Sequence, residues 1–311
     1  MAEMKITAGL GALENLPRLA AAGADEVFCG YVPISWLEKY GNFTPLNRRE
    51  VLLQGLQIDS MGDLRLLRRM ADDWGVEVAL TFNSHYYLPE QYPALCALFE
   101  ELLQIGLRSW ILADPCLMLH LKARDICGSI HLSGEAGCFS PETLAFFRRL
   151  NLARCIFPRK ITPEEMAACI ATAPELEYEA FVLNENCHFS GAHCLSLHCD
   201  ELEPLCRVPY RCAGPDFPHA SAASVRPTED FGASGCGLCA LPQLRRTGVR
   251  WLKVVGRGSH IEWIERDVRV LRRALSLGDA SLEALRSVLP GGQCSGRCYY
   301  PTEFRQRRQN L

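Results

Sequence analysis

No stretch of the 311 residues approaches 18 uninterrupted apolar positions, and the first ten residues place no basic segment ahead of an apolar core. The chain therefore reads as neither membrane-spanning nor exported by a standard signal, and a cytoplasmic protein is expected. Charge of neither sign is in excess: 33 Lys and Arg stand against 36 Asp and Glu, a formal charge of −3. That balance calls for neither nucleic acid nor an anionic membrane as partner. A dinucleotide fingerprint is missing too, because Gly9 and Gly11 have no third glycine to complete Gly-x-Gly-x-x-Gly. The chain is 48% hydrophobic and 22% charged, the ordinary make-up of a protein that buries a sizeable core.

Extended apolar runs alternate with helical stretches about every 25–30 residues. The runs are 5–8, 25–31, 76–83, 109–113, 129–133, 154–158, 176–183 and 250–255. Helical stretches follow at 10–22, 63–74, 92–105, 115–127, 141–150, 162–173 and 261–277. Gly23, Gly75 and Gly106 stand as stops, and Thr162 before Pro163 reads as an N-cap with proline in the first turn. The runs are short, rich in Val, Ile and Phe, and read as apolar on both faces, as buried parallel strands should be. Eight such units predict an α/β chain closed as a (β/α)8 TIM-like barrel, with an open doubly wound sheet as the alternative. The barrel is expected over 1–278, with a cysteine-rich insertion at 187–248 between its seventh and eighth strands. Residues 279–311 read as a C-terminal tail.

Cysteine is abundant, at sixteen residues. A disulfide framework belongs to small exported chains, so metal binding, redox chemistry or core filling is expected instead. Cys29, Cys96, Cys116, Cys127, Cys138, Cys155 and Cys169 are scattered among mostly apolar neighbours and read as small core residues. Seven others crowd between Cys187 and Cys239, in a loop rich in His, Gly and Pro with little core to fill. Thiolates there suit zinc or an iron–sulfur centre. Zinc sites usually show two short knuckles, and here only Cys236 and Cys239 form one; a four-cysteine iron–sulfur site accepts irregular spacing. Cys294 and Cys298 in the tail would close that site, bind a second metal, or be a chance pair.

Several segments, in order over roughly residues 4–275, resemble the collagenase-like peptidase U thirty-two family. Residues 23–30 (GADEVFCG) resemble its GADAVYLG strand, Thr81-Phe82-Asn83 its TLN, 111–114 (ILAD) its IVQD, and 130–133 (IHLS) its IHAST. Glu179-Ala180-Phe181 with Cys187 and Cys194 resembles the signature ExFxxGxxCxxxxGxC. Cys206-Arg207 with Tyr210 resembles CRxxY, 238–241 (LCAL) resemble LCLI, and 252–257 (LKVVGR) resemble FKIEGR. The chain departs from the pattern at Asn184, where the signature has glycine, and at Leu202, where the family has a cysteine.

The resemblance implies a 4Fe–4S cluster on Cys187, Cys194, Cys206 and Cys239, with Cys212 in reserve. It also implies hydroxylation without molecular oxygen, with prephenate as oxygen donor. RNA-acting members carry a further C-terminal domain for which this chain has no evident room. It is therefore expected to resemble the short members that work in pairs on ubiquinone precursors, with a small aromatic or quinone-like substrate and a second family protein as partner. RNA base hydroxylation and a peptidase-type hydrolase are the alternatives, the latter without an HExxH or Ser/His/Asp arrangement to support it.

Residues at the ends of predicted strands should face the barrel mouth. His85, Asp114 and Glu135 are the candidates for acid–base work, and His85, with His188 and His193 from the insertion, would serve in proton transfer or as a metal ligand. Asn83, Arg159, Lys253 and Arg257 are the candidates for holding a dicarboxylate, Arg159 and Arg257 foremost because a guanidinium binds carboxylate in a bidentate fork. Each arginine has a plainer role in prospect, as a salt-bridge partner of Asp114, Glu135 or Glu185. The arginines at 245–246, 266–273 and 305–308 would form an RNA-binding stripe or a solvated helix face.

Overall fold

The computed structural model describes residues 3–41, 45–48, 57–187, 191–194, 210–214, 217–222, 230–232, 234–292 and 295–300, with the backbone alone at 210–214 and 217–222. The predicted runs become strands β1 Lys5–Gly9, β2 Glu26–Gly30, β3 Glu77–Phe82, β4 Ser109–Leu112, β5 Ser129–Leu132, β6 Leu152–Ile156, β7 Glu177–Leu183 and β10 Trp251–Val254. They close into a parallel barrel in the order β1-β10-β7-β6-β5-β4-β3-β2, a TIM-like (β/α)8 barrel. The seam closes between β1 and β10, with Thr7 opposite Lys253. A short antiparallel hairpin, β8 Tyr210–Gly214 and β9 Phe217–Ala222, lies in the insertion.

The helices are α1 Leu16–Ala22, α2 Ile34–Tyr40, α3 Met61–Trp74, α4 Tyr92–Gln104, α5 Pro115–Ala123, α6 Pro141–Phe147, α7 Pro163–Thr172, α8 Leu241–Thr247, α9 Ile261–Ser276 and α10 Leu282–Ser287. Local chemistry sets their ends. Ser60, Asp114, Ser140, Thr162 and Ser281 cap N-termini through their side-chain oxygens, and Thr162 with Glu165 forms a reciprocal capping box. α5 stops short of the expected 127 because the chain turns through Asp125 at φ 54°. α2 and α8 lie in stretches read as irregular connection and insertion, where the apolar periodicity is too brief to mark a helix.

Outward strand residues such as Ile6, Val27, Leu80, Trp110, Leu132, Tyr178 and Leu252 pack beneath the helices and are fully buried or nearly so. Cys29, Cys96, Cys138, Cys155 and Cys169 are buried as expected, whereas Cys116 and Cys127 are exposed.

The inward faces differ from the expectation of strands apolar on both sides. Arg154 on β6 reaches Glu26 on β2 at 2.7 Å, although these strands stand on opposite sides of the ring. The pair therefore crosses the lumen. Arg154 also meets Glu179 at 3.0 Å and lies over the Trp251 ring at 3.7 Å, while Lys253 meets Glu179 at 2.7 Å. Thr7 donates to Glu26. Two carboxylates and two cations thus neutralise one another in a closed interior. Buried charge is tolerated where it is paired and hydrogen-bonded. His131, also inward, is held well below the usual imidazole value by burial and by Arg154 and Lys253, so it stays neutral.

Candidate functional site at the barrel mouth

Above the charged layer, the C-terminal ends of the strands enclose a cavity of about 120 Å³. Phe28, Ile111, Ile156 and Phe181 form its apolar wall. Lys253 closes the bottom, its Nζ 3.8 Å from the Phe28 ring centroid. Burial lowers the Lys253 ammonium from its usual value against the opposing pull of Glu179.

The rim is polar. After β5, Ser133 accepts from the Glu135 amide and starts the short turn Gly134–Ala136, which brings the Glu135 carboxylate over the cavity. Glu135 Oε2 faces Arg48 Nε at 3.4 Å and His85 Nε2 at 3.6 Å. Burial pushes this carboxyl up, but His85, Arg48 and Arg159 outweigh it and hold it below the usual carboxylate range. Arg48 also donates to the Cys194 carbonyl at 2.7 Å, and its amide donates to Asn83 Oδ1 at 3.1 Å. Asn83 in turn donates to Ser133 Oγ.

After β10, Gly256 at φ 132° turns the chain so that Arg257 enters the mouth; a Cβ there would stand 2.4 Å from Ile264. Arg257 donates to Thr81 Oγ1 at 3.0 Å. Arg159 lies over the Phe181 ring at 4.1 Å, hydrogen-bonds Tyr299, and is kept charged by Tyr299, Glu185 and Glu135 against the cost of burial. Arg159 Nε is buried without a hydrogen-bond partner among the described residues, while Arg48 Nε, His85 Nε2 and Glu135 Oε2 meet one another at ion-pair distance. A buried polar atom left unpaired costs about 1–3 kcal/mol, so this rim is built for a polar occupant.

Of the expected site residues, Asn83, Glu135, Arg159, Lys253 and Arg257 meet at this cavity, with His85 directly behind Glu135. Asp114 does not line the cavity. It caps α5 through Cys116 N–H and accepts from Tyr92 at 2.8 Å, and burial raises its carboxyl from the usual value. His193 stacks on Phe139, and His188 lies outside the described residues. The arginines of α9 are mostly paired: Arg266 with Asp267, Arg269 with Glu265 and Arg272 with Asp25. The expected residues omit Arg48, Thr81 and Ser133. Arg48 comes from the irregular connection after β2, where no spacing marks it, and Ser133 ends a strand as an ordinary cap.

For the expected cluster ligands, Cys206 lies outside the described residues and only the backbone of Cys212 is described, in β8. Cys187 is half-buried two residues beyond Glu185 of the rim. Cys194 is buried beside Arg48, and Cys239 is half-buried on the turn Leu238–Ala240. Among the described residues no three of His, Cys, Asp or Glu converge as a metal site, so Cys187, Cys194 and Cys239 alone do not form one. Thiol donors at the rim nonetheless fit the chemistry of a soft-metal or iron–sulfur group.

Asn184 takes the left-handed conformation, at φ 66°, in the position where the family signature carries glycine. Asn is the side chain that tolerates this region best after glycine, and here its amide is fixed by Asp267 at 2.6 Å. The departure preserves the turn.

Comparison with known proteins agrees with the motifs. The chain is 28% identical over 96 residues to tRNA hydroxylation protein P of Escherichia coli strain K12, covering 31% of this chain and 21% of that protein. It is 30% identical over 85 residues to the protein of the same name from Haemophilus influenzae, covering 27% and 18%. The matched stretches thus span about a fifth of the length of these relatives. The solved structure of the U32 peptidase Mk0906 superposes with a TM-score of 0.49 at 14% identity, over 82% of this chain and 95% of that one. The profile of peptidase family U32 matches residues 11–285, most of the sequence, and the chain belongs to that family.

Proposed function

We propose that the barrel mouth binds a small aromatic or quinone-like molecule together with an anionic oxygen donor of the prephenate type, and that the protein supports hydroxylation without molecular oxygen. The observation that carries this reading is the charge of the cavity. Arg48, Arg159 and Arg257 outnumber Glu135 and Glu185 above an apolar wall, and the buried Arg159 Nε has no hydrogen-bond partner among the described residues. A cyclic dicarboxylate of the prephenate type matches all three features. Arg159 and Arg257 would clamp its carboxylates, Asn83 and Ser133 would orient it, and His85 beside Glu135 would hold or accept a proton at Nε2. An iron–sulfur group supplies electron transfer when bound. Cys187 and Cys194, next to the rim, would hold it with further thiols of the insertion, and a second protein of the family would complete the working unit.

Anaerobic calorimetry with prephenate tests the clamp. A charge-assisted hydrogen bond contributes about 1.5–3 kcal/mol, so Arg159→Gln and Arg257→Gln should each weaken binding about 10–100-fold. No binding by the unmodified chain, or unchanged affinity in both variants, removes the reading.

The same chemistry on RNA is the second reading, favoured by the two relatives named for tRNA hydroxylation. The ion pairs along α9 weigh against that helix as the RNA face, since paired arginines offer little charge to phosphates. Salt-dependent tRNA binding would establish it. A serine hydrolase gains no support from the mouth: the Ser133 hydroxyl accepts from Asn83 and the Glu135 amide.

A further inference from the structure

We infer that Lys253 is a covalent catalytic residue: its amine, on the floor of the mouth cavity, condenses with the ketone of a bound 2-oxo acid to form an imine. The inference rests on the anion-holding mouth proposed above and narrows its ligand, since prephenate is itself a 2-oxo acid.

Position carries the argument. The chain has five lysines, and Lys253 is the buried one; Lys5, Lys39, Lys122 and Lys160 are all exposed. Of the four charged side chains joined in the lumen, Lys253 alone lines the cavity. Pairing does not require that contact, as Arg154 and Glu26 show by pairing without it. The Lys253 Nζ stands 3.8 Å from the Phe28 ring centroid, so the amine meets the apolar wall rather than bulk water. Such a setting favours the neutral, nucleophilic amine, and a second cation close by adds to the effect. Arg154 is that cation. Its Nη1 meets Glu179 Oε2 at 3.0 Å, while Lys253 Nζ meets Oε1 of the same carboxylate at 2.7 Å. Burial and Arg154 lower the ammonium from its usual value, against the pull of Glu179 and Glu26.

The rim supplies the other half. A 2-oxo acid carries its carboxylate on the carbon of the ketone, so holding that carboxylate at the rim presents the ketone to the floor. Arg257 and Arg159 line the same cavity, and Arg159 lies over Phe181 with its Nε unpartnered among the described residues. The condensation balances. Glu179 takes one proton from the Lys253 ammonium, and the freed amine adds to the ketone carbon. A proton passes from nitrogen to the former carbonyl oxygen, giving a carbinolamine. Glu179 then returns its proton to that hydroxyl, which leaves as water while the C=N bond forms. The nitrogen keeps one hydrogen and its positive charge, so two carboxylates still face two cations in the lumen. No oxidant or reductant is consumed, and the iminium draws electrons from the carbons beside it.

The test traps the imine. The full chain is incubated with pyruvate and sodium cyanoborohydride, which reduces an imine to a stable secondary amine, and the lysine peptides are mapped by mass spectrometry. Pyruvate should mark Lys253 at least tenfold faster than the exposed Lys122, and excess prephenate should suppress that adduct. Acetone, a ketone without a carboxylate, should mark Lys253 at least tenfold less. Arg159→Gln should raise the pyruvate concentration for half-maximal labelling about tenfold, with labelling restored at saturation. No adduct at Lys253, or labelling no faster than at Lys122, overturns the inference; equal labelling by acetone overturns the 2-oxo acid class. Prephenate bound in calorimetry without an adduct leaves the mouth reading standing, whereas neither binding nor adduct removes both. Trapping on the unmodified chain needs no variant, so it decides the matter even if Arg159→Gln fails to fold.

Discussion

Replacing Arg154 with methionine should be among the most damaging single changes to the barrel. Its side chain is 1% exposed and joins two fully buried carboxylates, Glu26 and Glu179. In Arg154→Met, Glu179 keeps Lys253 and, among the described residues, Glu26 keeps only the hydrogen bond from the Thr7 hydroxyl. Breaking a buried pair from one side costs about 3–5 kcal/mol, because the remaining charge is left uncompensated. The loss should depend on pH in a definite direction. In the native protein burial already pushes Glu26 up to about 6 against the pull of Arg154. A carboxyl raised in the folded state binds its proton more tightly there than in the unfolded chain. Its contribution therefore favours folding at low pH and fades as pH rises from about 4.3, the unfolded value, through about 6. Without Arg154 the folded value rises further, so the deficit of the variant should shrink between pH 7 and pH 5. Adding Glu26→Gln to Arg154→Met should recover part of it at pH 7. Reversible urea unfolding at the two pH values measures all of this. A deficit below about 1 kcal/mol at pH 7, or one that does not change with pH, refutes the compensated-lumen account.

Other predictions concern the rim, a helix cap and the tail. Glu135 is held below the usual carboxylate range, so its stabilising contribution is present above about pH 4.3 and is lost as pH falls through its lower folded value; the stability advantage over Glu135→Gln should decline on acidification, as measured by urea unfolding. Thr162→Ala removes the side-chain half of the capping box on α7, leaving the bond from the residue 162 amide to Glu165, and should cost about 1 kcal/mol in the same assay. Gly235→Ala should displace Tyr299, whose ring would stand 2.8 Å from the added Cβ, and raise proteolytic cleavage within 295–300 severalfold under native conditions, while leaving the far-ultraviolet spectrum of the barrel unchanged.

Much of the fold is legible because it is local. Each predicted run lies within two residues of an observed strand, and Gly23, Gly75 and Gly106 all take positive φ at helix ends. Thr162 and Glu165 announce their cap in four letters. The lumen is not legible in the same way. Arg154 is one charged residue in an otherwise apolar run, and nothing nearby in sequence says that its partner is Glu26, 128 positions away. Only closure of the ring brings them together. The site divides similarly. Residues directly after strands, such as Glu135 and Arg257, follow from topology alone, since strand ends gather at one face. Arg48 does not, because an irregular connection delivers it. Asp114, also at a strand end, turns away because capping α5 satisfies its carboxylate locally. The tail is illegible for a further reason: its Tyr299 packs against Gly235, which matters through the side chain it omits.

The account rests most on thiols near the mouth holding an iron–sulfur group. Iron and acid-labile sulfide determined on the anaerobically purified chain, with an electronic spectrum, test it most directly. The expected result is about four of each per chain for a 4Fe–4S group, with broad charge-transfer absorption that is lost in Cys194→Ala. Negligible iron and sulfide after anaerobic purification and reconstitution would contradict it.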